Sequence, residues 1–383
     1  MKVPFVDLVA WAKPSREEYL AAFATIIDTG AYVGGPQVAE FEQAFASFCA
    51  APHAVSVSTG TDALLLALRA LGVGPGDEVI TAANSFFATA EAISLAGARP
   101  VLADVDDDTL LINVDDARQR LTEKTRAIIP VHLFGQLADM DRVHALARSA
   151  KLRVLEDSAQ AHGAERASSE AGAPGSVTRG RGSYRAGSAA EIAAFSFYPT
   201  KNLGALGEGG CVVTKDAALA DHVKRLRDHG QAGRHDHVEI AYNARLDSLQ
   251  CACLSISLRR LAAANAARRA LAARYRERLH GQGGVRLIAE APGSQPVYHL
   301  MIVRVDAARR DAIRDAMGKA GVATAIHYPT PIHLQRAYAH LGQGPGSCPV
   351  AERAVKEMIS LPMFPDMTVE QVDRTCDVLL ASL

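Results

Sequence analysis

The chain has no excess of either charge, no long apolar run, no cysteine framework and no internal repeat, and each lack removes a class of protein. Its 383 residues carry 41 basic and 42 acidic side chains, a formal net charge of -1. So even a balance supplies no field that would gather nucleic acid or an anionic membrane, and neither is expected as a partner. No segment offers the roughly 18 uninterrupted apolar residues of a spanning helix. The opening Met1-Lys2-Val3-Pro4-Phe5-Val6-Asp7 lacks the apolar core of a signal peptide, so a cytoplasmic location is expected. Cys49, Cys211, Cys251, Cys253, Cys348 and Cys376 are scattered, and Cys251 and Cys253 are closer than a zinc knuckle allows, so reduced and mostly buried thiols are expected. His235-Asp236-His237 finds no further ligand at suitable spacing, and no metal site is expected. No period of the solenoid kind recurs.

What is present is alternation. Short apolar runs at Ala54-Val57, Glu78-Thr81, Arg99-Ala103, Ala127-Val131, Arg153-Glu156, Ala193-Phe197 and Cys211-Thr214 read as strands, and Thr61-Leu71, Ala88-Ala96 and Met140-Ala150 between them have helical period. This pattern predicts an α/β fold with a large, mostly parallel seven-stranded sheet covered by helices on both faces. After Asn243 the texture changes to a long helical stretch, about Ser248 to His280. Short strands near Val297-Val305 and Thr324-Tyr328 then surround a helix at Asp306-Ala320, as in a smaller α+β domain. The expected division is 1–245 and 246–383. A Ser/Gly/Arg-rich insertion at about 166–188 is too small and polar to offset its own ordering and is expected to be a mobile loop. Lying between two candidate site segments, it is either a lid or a solvated insertion without function.

In open α/β sheets ligands bind at the carboxyl ends of the strands, so residues just past each run are the candidates. Lys201 stands in Phe195-Ser196-Phe197-Tyr198-Pro199-Thr200-Lys201-Asn202-Leu203-Gly204, followed by Ala205-Leu206-Gly207-Glu208-Gly209-Gly210. A Schiff-base lysine is displayed in this way, because desolvation lowers an ammonium's pKa from ~10.4 and frees the amine to attack an aldehyde. An exposed loop lysine is the plain alternative. Ser58-Thr59-Gly60-Thr61-Asp62-Ala63-Leu64 is a strand end, a turn and a helix start, suited to binding phosphate at open amides or to ordinary capping. The alternative glycine-rich stretch, Gly72-Val73-Gly74-Pro75-Gly76-Asp77, precedes a strand and reads as a turn only. In Val154-Leu155-Glu156-Asp157-Ser158-Ala159-Gln160-Ala161-His162-Gly163, Asp157 is either a helix cap or the counter-charge that a pyridoxal cofactor's protonated ring nitrogen requires, with Gln160 in reach of the ring hydroxyl. Phe86, in Asn84-Ser85-Phe86-Phe87-Ala88-Thr89-Ala90, either fills core or lies on a planar ring.

The order and spacing of these four segments give the chain a resemblance to the sugar-nucleotide aminotransferases of the DegT/DnrJ/EryC1/StrS family, within the fold type I pyridoxal enzymes. The resemblance runs from Val3-Pro4-Phe5-Val6-Asp7-Leu8 to the C-terminus. It is most specific at Gly60-Thr61-Asp62-Ala63-Leu64, Glu156-Asp157-Ser158-Ala159-Gln160-Ala161-His162-Gly163-Ala164, the Lys201 segment and Arg245-Leu246-Asp247-Ser248-Leu249-Gln250. It implies pyridoxal 5'-phosphate as cofactor, with the pyridoxamine form as intermediate, and Lys201 as the residue that binds the aldehyde and later moves protons. By the same resemblance Asp157 pairs with the ring nitrogen, Gln160 with the ring oxygen and Phe86 with the ring face. Gly60, Thr61 and Ser196 hold the phosphate, which Asn243 completes from a neighbouring subunit of a homodimer.

His327-Tyr328-Pro329-Thr330-Pro331-Ile332-His333-Leu334-Gln335 and the Arg245 segment are similar to the branch acting on 3-keto sugar nucleotides rather than 4-keto ones. The resemblance therefore implies transfer from L-glutamate to a dTDP- or UDP-linked 3-keto hexose, with a 4-keto sugar nucleotide as the alternative acceptor, and with Tyr198, His327 and Tyr328 contacting the sugar and Tyr32 reaching in from the partner chain. Turn and packing chemistry beside two prolines is the other reading of His327 and Tyr328. The chain departs from the family's Gly-Ser-x-Gly turn at Gly187-Ser188-Ala189-Ala190-Glu191 and in the insertion, which puts loop-borne substrate contacts in doubt. Two other functions fit the fold. A pyridoxamine-dependent sugar dehydrase is disfavoured, because that branch has histidine where this chain has Lys201. A non-catalytic regulatory or sensory protein would have no use for the complete set of cofactor residues.

Overall fold

The structure is a computed structural model that describes residues 1–168 and 182–383. Its organising element is a seven-stranded sheet whose strands, each five residues long, are β1 His53–Val57, β2 Glu78–Ala82, β3 Arg99–Ala103, β4 Thr125–Ile129, β5 Arg153–Asp157, β6 Ile192–Ser196 and β7 Gly210–Thr214. Their spatial order is β1-β7-β6-β5-β4-β2-β3, and only β7 runs against its neighbours. Side chains of adjacent residues point to opposite faces of a strand, yet the pairs Val79-Ile80, Ile128-Ile129 and Val212-Val213 are each fully buried on both sides. Both faces must therefore be covered, which is why these strands read as continuous apolar runs. One face packs Ile80, Leu102, Ile128, Val154 and Phe195 with the Pro36–Phe48 and Met140–Ala150 helices. The other packs Val79, Ile129, Leu155 and Val212 with the Gly60–Ala70 and Ala217–Arg227 helices.

The seven strands and the three helices lie within two residues of the sequence expectation. The Ser248–Leu279 helix, about 48 Å long at 1.5 Å per residue, runs from the Pro36–Phe48 helix to the C-terminal Val369–Ser382 helix. Beyond it the antiparallel strands Arg286–Leu287, Met301–Arg304 and Met358–Leu361 form a smaller sheet, backed by the Arg310–Lys319 and Val369–Ser382 helices. Val3 is buried in this smaller core and its amide donates to Gly321 O at 2.9 Å, so the N-terminal residues pack with the C-terminal ones. The strand expected at Thr324–Tyr328 does not form. Only isolated bridges at Val322 and Ala325 occur, because Pro329 and Pro331 follow and the segment leaves the small sheet for the main one, where Ile332 N meets Ala83 O at 2.8 Å. No helix among the described residues is long and apolar enough to cross a membrane.

The two sheets are clasped by Asp107, in the loop after β3. Its carboxylate accepts from Arg286 at 2.7 Å, Arg304 at 2.8 Å and Arg353 at 2.7 Å. Burial alone would raise its pKa, but the hydrogen bonds from Arg286, Arg353 and Arg304 outweigh that and hold it well below the usual carboxylate range. A depressed folded pKa means stability that is present above the unfolded value of ~3.9 and fades as pH falls through the folded one. With the carboxylate partly exposed and therefore screened, Asp107→Asn should cost about 1 kcal/mol at pH 7. Urea unfolding should record that loss, and the gap between the two proteins should shrink below pH ~3.9.

Candidate functional site

Every strand but β7 ends at one edge of the sheet, and residues just past the ends of β1, β2, β5 and β6 form the site. After β1 the chain turns into the Gly60–Ala70 helix, with Thr59 as its cap: its hydroxyl oxygen accepts from Asp62 N at 3.0 Å. Asp62 in turn accepts from the Ser58 and Thr59 hydroxyls at 2.5 and 2.8 Å. Those side chains are committed to the turn, which leaves the first helical amides, Gly60 and Thr61, facing out of the helix end where an anion is favoured. A Cβ on Gly60 would stand 2.5 Å from Ser196 Cβ, at the end of β6, so the turn and that strand end touch only because residue 60 is glycine.

Asp157 ends β5 and is buried, one strand over from β6, with Ala194 as its cross-strand neighbour. It accepts from Thr89 Oγ1 at 2.7 Å and Ala159 N at 3.2 Å. Burial raises its pKa; the hydrogen bonds from Thr89 and Ala159 and the charge of Lys201 pull it back. Lys201 follows β6 on a tight turn, its amide donating to Tyr198 O at 2.8 Å, and a Cβ on Gly204 would stand 2.4 Å from Pro199 O. Burial pushes the Lys201 ammonium down to about 8, with Asp157 acting in the opposite sense. A buried carboxylate and a half-buried amine thus sit close enough to bias one another. A protonated heteroaromatic nitrogen beside Asp157 and an aldehyde beside Lys201 fit this donor set, and a phosphate fits the Gly60 turn.

Gln160 is buried with its orientation fixed at both ends: Oε1 accepts from Phe134 N at 2.7 Å, and Nε2 donates to Tyr328 OH at 3.1 Å. Burial holds the Tyr328 hydroxyl protonated well above its ordinary range. The ring of Phe86 lies 5.2 Å from that of Tyr328 at a tilt of 41°, and Phe86 is 53% exposed, so it walls an open cleft rather than filling core. His327 stacks on Phe5 at 5.6 Å and its Nδ1 meets Ser360 Oγ at 2.8 Å. Burial, followed by the charge of Lys201, pushes its imidazole down to about 4, so it is neutral at pH 7. Tyr32, Tyr198 and Asn243 are exposed; Tyr198 shares the Lys201 turn through its backbone, with its side chain at the surface. Asn243 nonetheless precedes Ala244, whose carbonyl accepts from Ser58 N at 2.9 Å, so its segment lies against the turn after β1.

Three supporting residues escaped the sequence reading. Thr89 sits one turn into the Phe87–Leu95 helix, where its hydroxyl reads as an ordinary helical residue. Asn202, next to Lys201, is buried and fully engaged through its side chain. Glu156 carried the clearest signal, a charge inside the apolar run Val154-Leu155. It is fully buried and accepts from His132 Nε2 at 3.0 Å, Gly187 N at 3.0 Å and Ala190 N at 2.7 Å. His132 Nδ1 accepts from Ala138 N at 3.2 Å, which fixes Nε2 as the protonated nitrogen. The Gly187–Glu191 departure from the family turn is therefore tied to the strand that carries Asp157. The greater part of the 166–188 insertion, residues 169–181, lies outside the described residues, and with it the lid reading.

Glu156→Gln would point an amide donor at a ring of four donors, Ser158 Oγ at 3.4 Å being the fourth. It should destabilise the protein by about 2–3 kcal/mol, the cost of leaving buried groups unmatched, read from urea unfolding at pH 7.

Comparison with known proteins agrees with the geometry. The profile of the DegT/DnrJ/EryC1/StrS aminotransferase family matches residues 14–380. A Streptomyces venezuelae protein named dTDP-3-amino-3,4,6-trideoxy-alpha-D-glucose transaminase is 42% identical over 99% of this chain and 95% of its own. An Acidithiobacillus ferrooxidans protein named as a UDP-N-acetyl-3-dehydro-alpha-D-glucosamine 3-aminotransferase is 42% identical over 100% of this chain and 98% of its own. The crystal structure of S. venezuelae DesV in complex with a ketimine intermediate superposes with a TM-score of 0.92 at 42% identity, covering 99% of this chain and 98% of that one. NtdA from Bacillus subtilis with bound cofactor PMP superposes with a TM-score of 0.89 at 29% identity, covering 100% of this chain and 85% of that one. On its sequence, its fold and a strand-end site suited to pyridoxal phosphate, the chain belongs to the DegT/DnrJ/EryC1/StrS aminotransferase family.

Proposed function

We propose that this aminotransferase moves an amino group from L-glutamate to a dTDP- or UDP-linked 3-keto hexose, giving a 3-amino sugar nucleotide. The observation that carries the reading is Asp157, buried at the end of β5, with the half-buried Lys201 just past the end of the adjacent β6, beside the Gly60 helix start. The names of relatives 42% identical over the whole chain support the 3-keto position. When bound, pyridoxal phosphate supplies the electron sink that makes the donor's α-proton acidic.

The chain's own residues do the rest. Lys201, whose pKa lowered to about 8 leaves part of its amine neutral near pH 7, takes that proton at Nζ and returns it on the other side of the transfer. Asp157 keeps the ring nitrogen protonated, Gln160 Nε2 serves the ring oxygen, and Phe86 covers the ring face. Gly60, Thr61 and Ser196 hold the phosphate, with Asn243 added from a second copy of the chain. The exposure of Tyr32, Val33, Tyr198 and Ile240 is consistent with such a homodimer. Tyr328, His327 and Tyr198 line the sugar's side of the cleft, and Tyr32 comes from the partner chain. His327 is neutral, so it offers the sugar a hydrogen bond and no charge. The chain divides at about 245, with the cofactor residues in 1–245 and His327 and Tyr328 in 246–383, and it works in the cytoplasm. Because the whole cofactor set is present, a purely regulatory role is not favoured.

Lys201→Ala should abolish transfer while leaving the fold intact, read as loss of 2-oxoglutarate release with an unchanged melting temperature. Only the neutral amine attacks an aldehyde, and the neutral fraction rises with pH up to the amine's pKa. Cofactor capture by cofactor-free protein should therefore speed up about tenfold per pH unit below about 8 and level off above it. An ordinary exposed lysine would still be gaining at pH ~9. Gly60→Ala should weaken cofactor retention at least about tenfold, since the added methyl must displace Ser196. With glutamate as donor, a panel of 3-keto and 4-keto sugar nucleotides should show turnover of the 3-keto set; turnover confined to 4-keto sugars would overturn the assignment of position.

A further inference from the structure

Behind the cofactor residues, one short strap from the small-sheet half of the chain touches both arms of the site. Val297 N donates to Gly135 O at 2.9 Å, in the turn whose Phe134 amide holds Gln160. On the other side, Asn202 Nδ2 donates to Val297 O at 2.9 Å and to Asn265 Oδ1 at 3.0 Å, while Asn202 Oδ1 meets His299 Nδ1 at 3.2 Å. An amide oxygen only accepts, so His299 donates from Nδ1. Asn265 Nδ2 donates to His162 O at 2.8 Å, which returns the network to the Asp157-Gln160 loop. Arg268, on the same long helix, donates to Tyr298 O at 3.2 Å and Met363 O at 3.0 Å. Asn202, Asn265 and His299 are all at least nine-tenths buried.

The approach is close. Gly135 sits at φ +95°, and a Cβ there would stand 3.0 Å from the backbone nitrogens of both Tyr298 and His299. Phe134 and Tyr298 hold left-handed backbone at φ 62° and 45°, a conformation that costs a side-chain-bearing residue about 1–3 kcal/mol. Two such residues side by side persist only where the surrounding contacts over-determine them.

We propose that the Val297–Leu300 strap, acting through His299 and Asn202, is the positioning element that holds Lys201 in its desolvated place and keeps it in register with Gln160. The inference rests on the reading of Lys201 as the amine that carries transfer, but it concerns how this chain holds that amine. The charged and titratable groups around His299 are Lys201, Arg268, His327 and His162. Burial first, and then the charges of Lys201 and Arg268, keep its imidazole neutral, so the strap works by hydrogen bonding and not by charge.

The test reads Lys201 directly, in cofactor-free full-length protein. Acetic anhydride labelling across pH, with the Lys201 peptide quantified by mass spectrometry, gives the amine's midpoint, expected near 8 in the parent. His299→Leu, which removes the donor, should let the amine reach water and raise the midpoint by about one unit toward the ordinary lysine value. His299→Asn, which restores a donor near Nδ1, should hold the parent's midpoint. Gly135→Ala, which pushes the strap away without touching Asn202, should behave as His299→Leu does. In cofactor-loaded protein, His299→Leu should slow the glutamate half-reaction about tenfold with little change in the KM for glutamate. Should His299→Leu fail to fold, Asn202→Ala carries the same expectation. An unchanged midpoint in folded His299→Leu or Asn202→Ala would overturn the proposal, as would equal shifts in His299→Leu and His299→Asn. A failure of the aminotransferase reading would appear instead as a normal labelling pattern with no glutamate half-reaction in the parent.

Discussion

Burying one charge is costly, and burying two of opposite sign within reach of each other is much less so. Asp157 and Lys201 are such a pair, one at the end of β5 and the other just past the end of β6. Burial pushes each toward its neutral form, raising the carboxyl and lowering the amine, and each partner's charge resists the push on the other. The result is an amine poised between free and protonated near neutral pH, which proton shuttling needs. Much of the surrounding structure serves that pair. Thr89 and Ala159 anchor the carboxylate, Glu156 and His132 hold the strand beneath it, and the Pro199–Gly204 turn sets the amine.

The sheet was legible because strands covered on both faces must be apolar at every position, and that leaves short, unbroken runs between turn residues. The main candidates were legible for a related reason. Asp157 stands out as a carboxylate at the end of a strand-forming run, and Lys201 as the one charge between Glu191 and Glu208. The bonds that hold those side chains were not legible, because they join residues far apart in sequence: Asn202 with His299, Asn265 with His162, Glu156 with Gly187. Glu156 could have been read, since a charge inside Val154-Leu155-Glu156 demands a buried partner. The false strand at Thr324–Tyr328 shows the opposite error. Its composition suits a strand, but Pro329 and Pro331 and a tie to Ala83 carry the segment across to the main sheet, where it delivers His327 and Tyr328 to the cleft. Tyr32, Tyr198 and Asn243 owe their reading to family resemblance, and within one chain they stay on the surface.

The two sheets meet the site from opposite sides. The large sheet supplies the carboxylate, the amine and the Gly60 turn, all on elements fixed by a core. The smaller half supplies groups that arrive on irregular segments, Val297–Leu300 and His327-Tyr328. Asp107 with its three arginines clasps these halves on the side of β3.

The central claim is that Lys201, desolvated and answered by Asp157, is the residue joined to the cofactor's aldehyde. Borohydride reduction of cofactor-loaded protein, followed by peptide mass spectrometry, makes that link permanent and locates it. The account predicts a single reduced adduct on the peptide containing Lys201, with its absorbance near ~420 nm bleached, and none in Lys201→Ala. An adduct on a different lysine, or loaded protein that reduction leaves unlabelled, would contradict it.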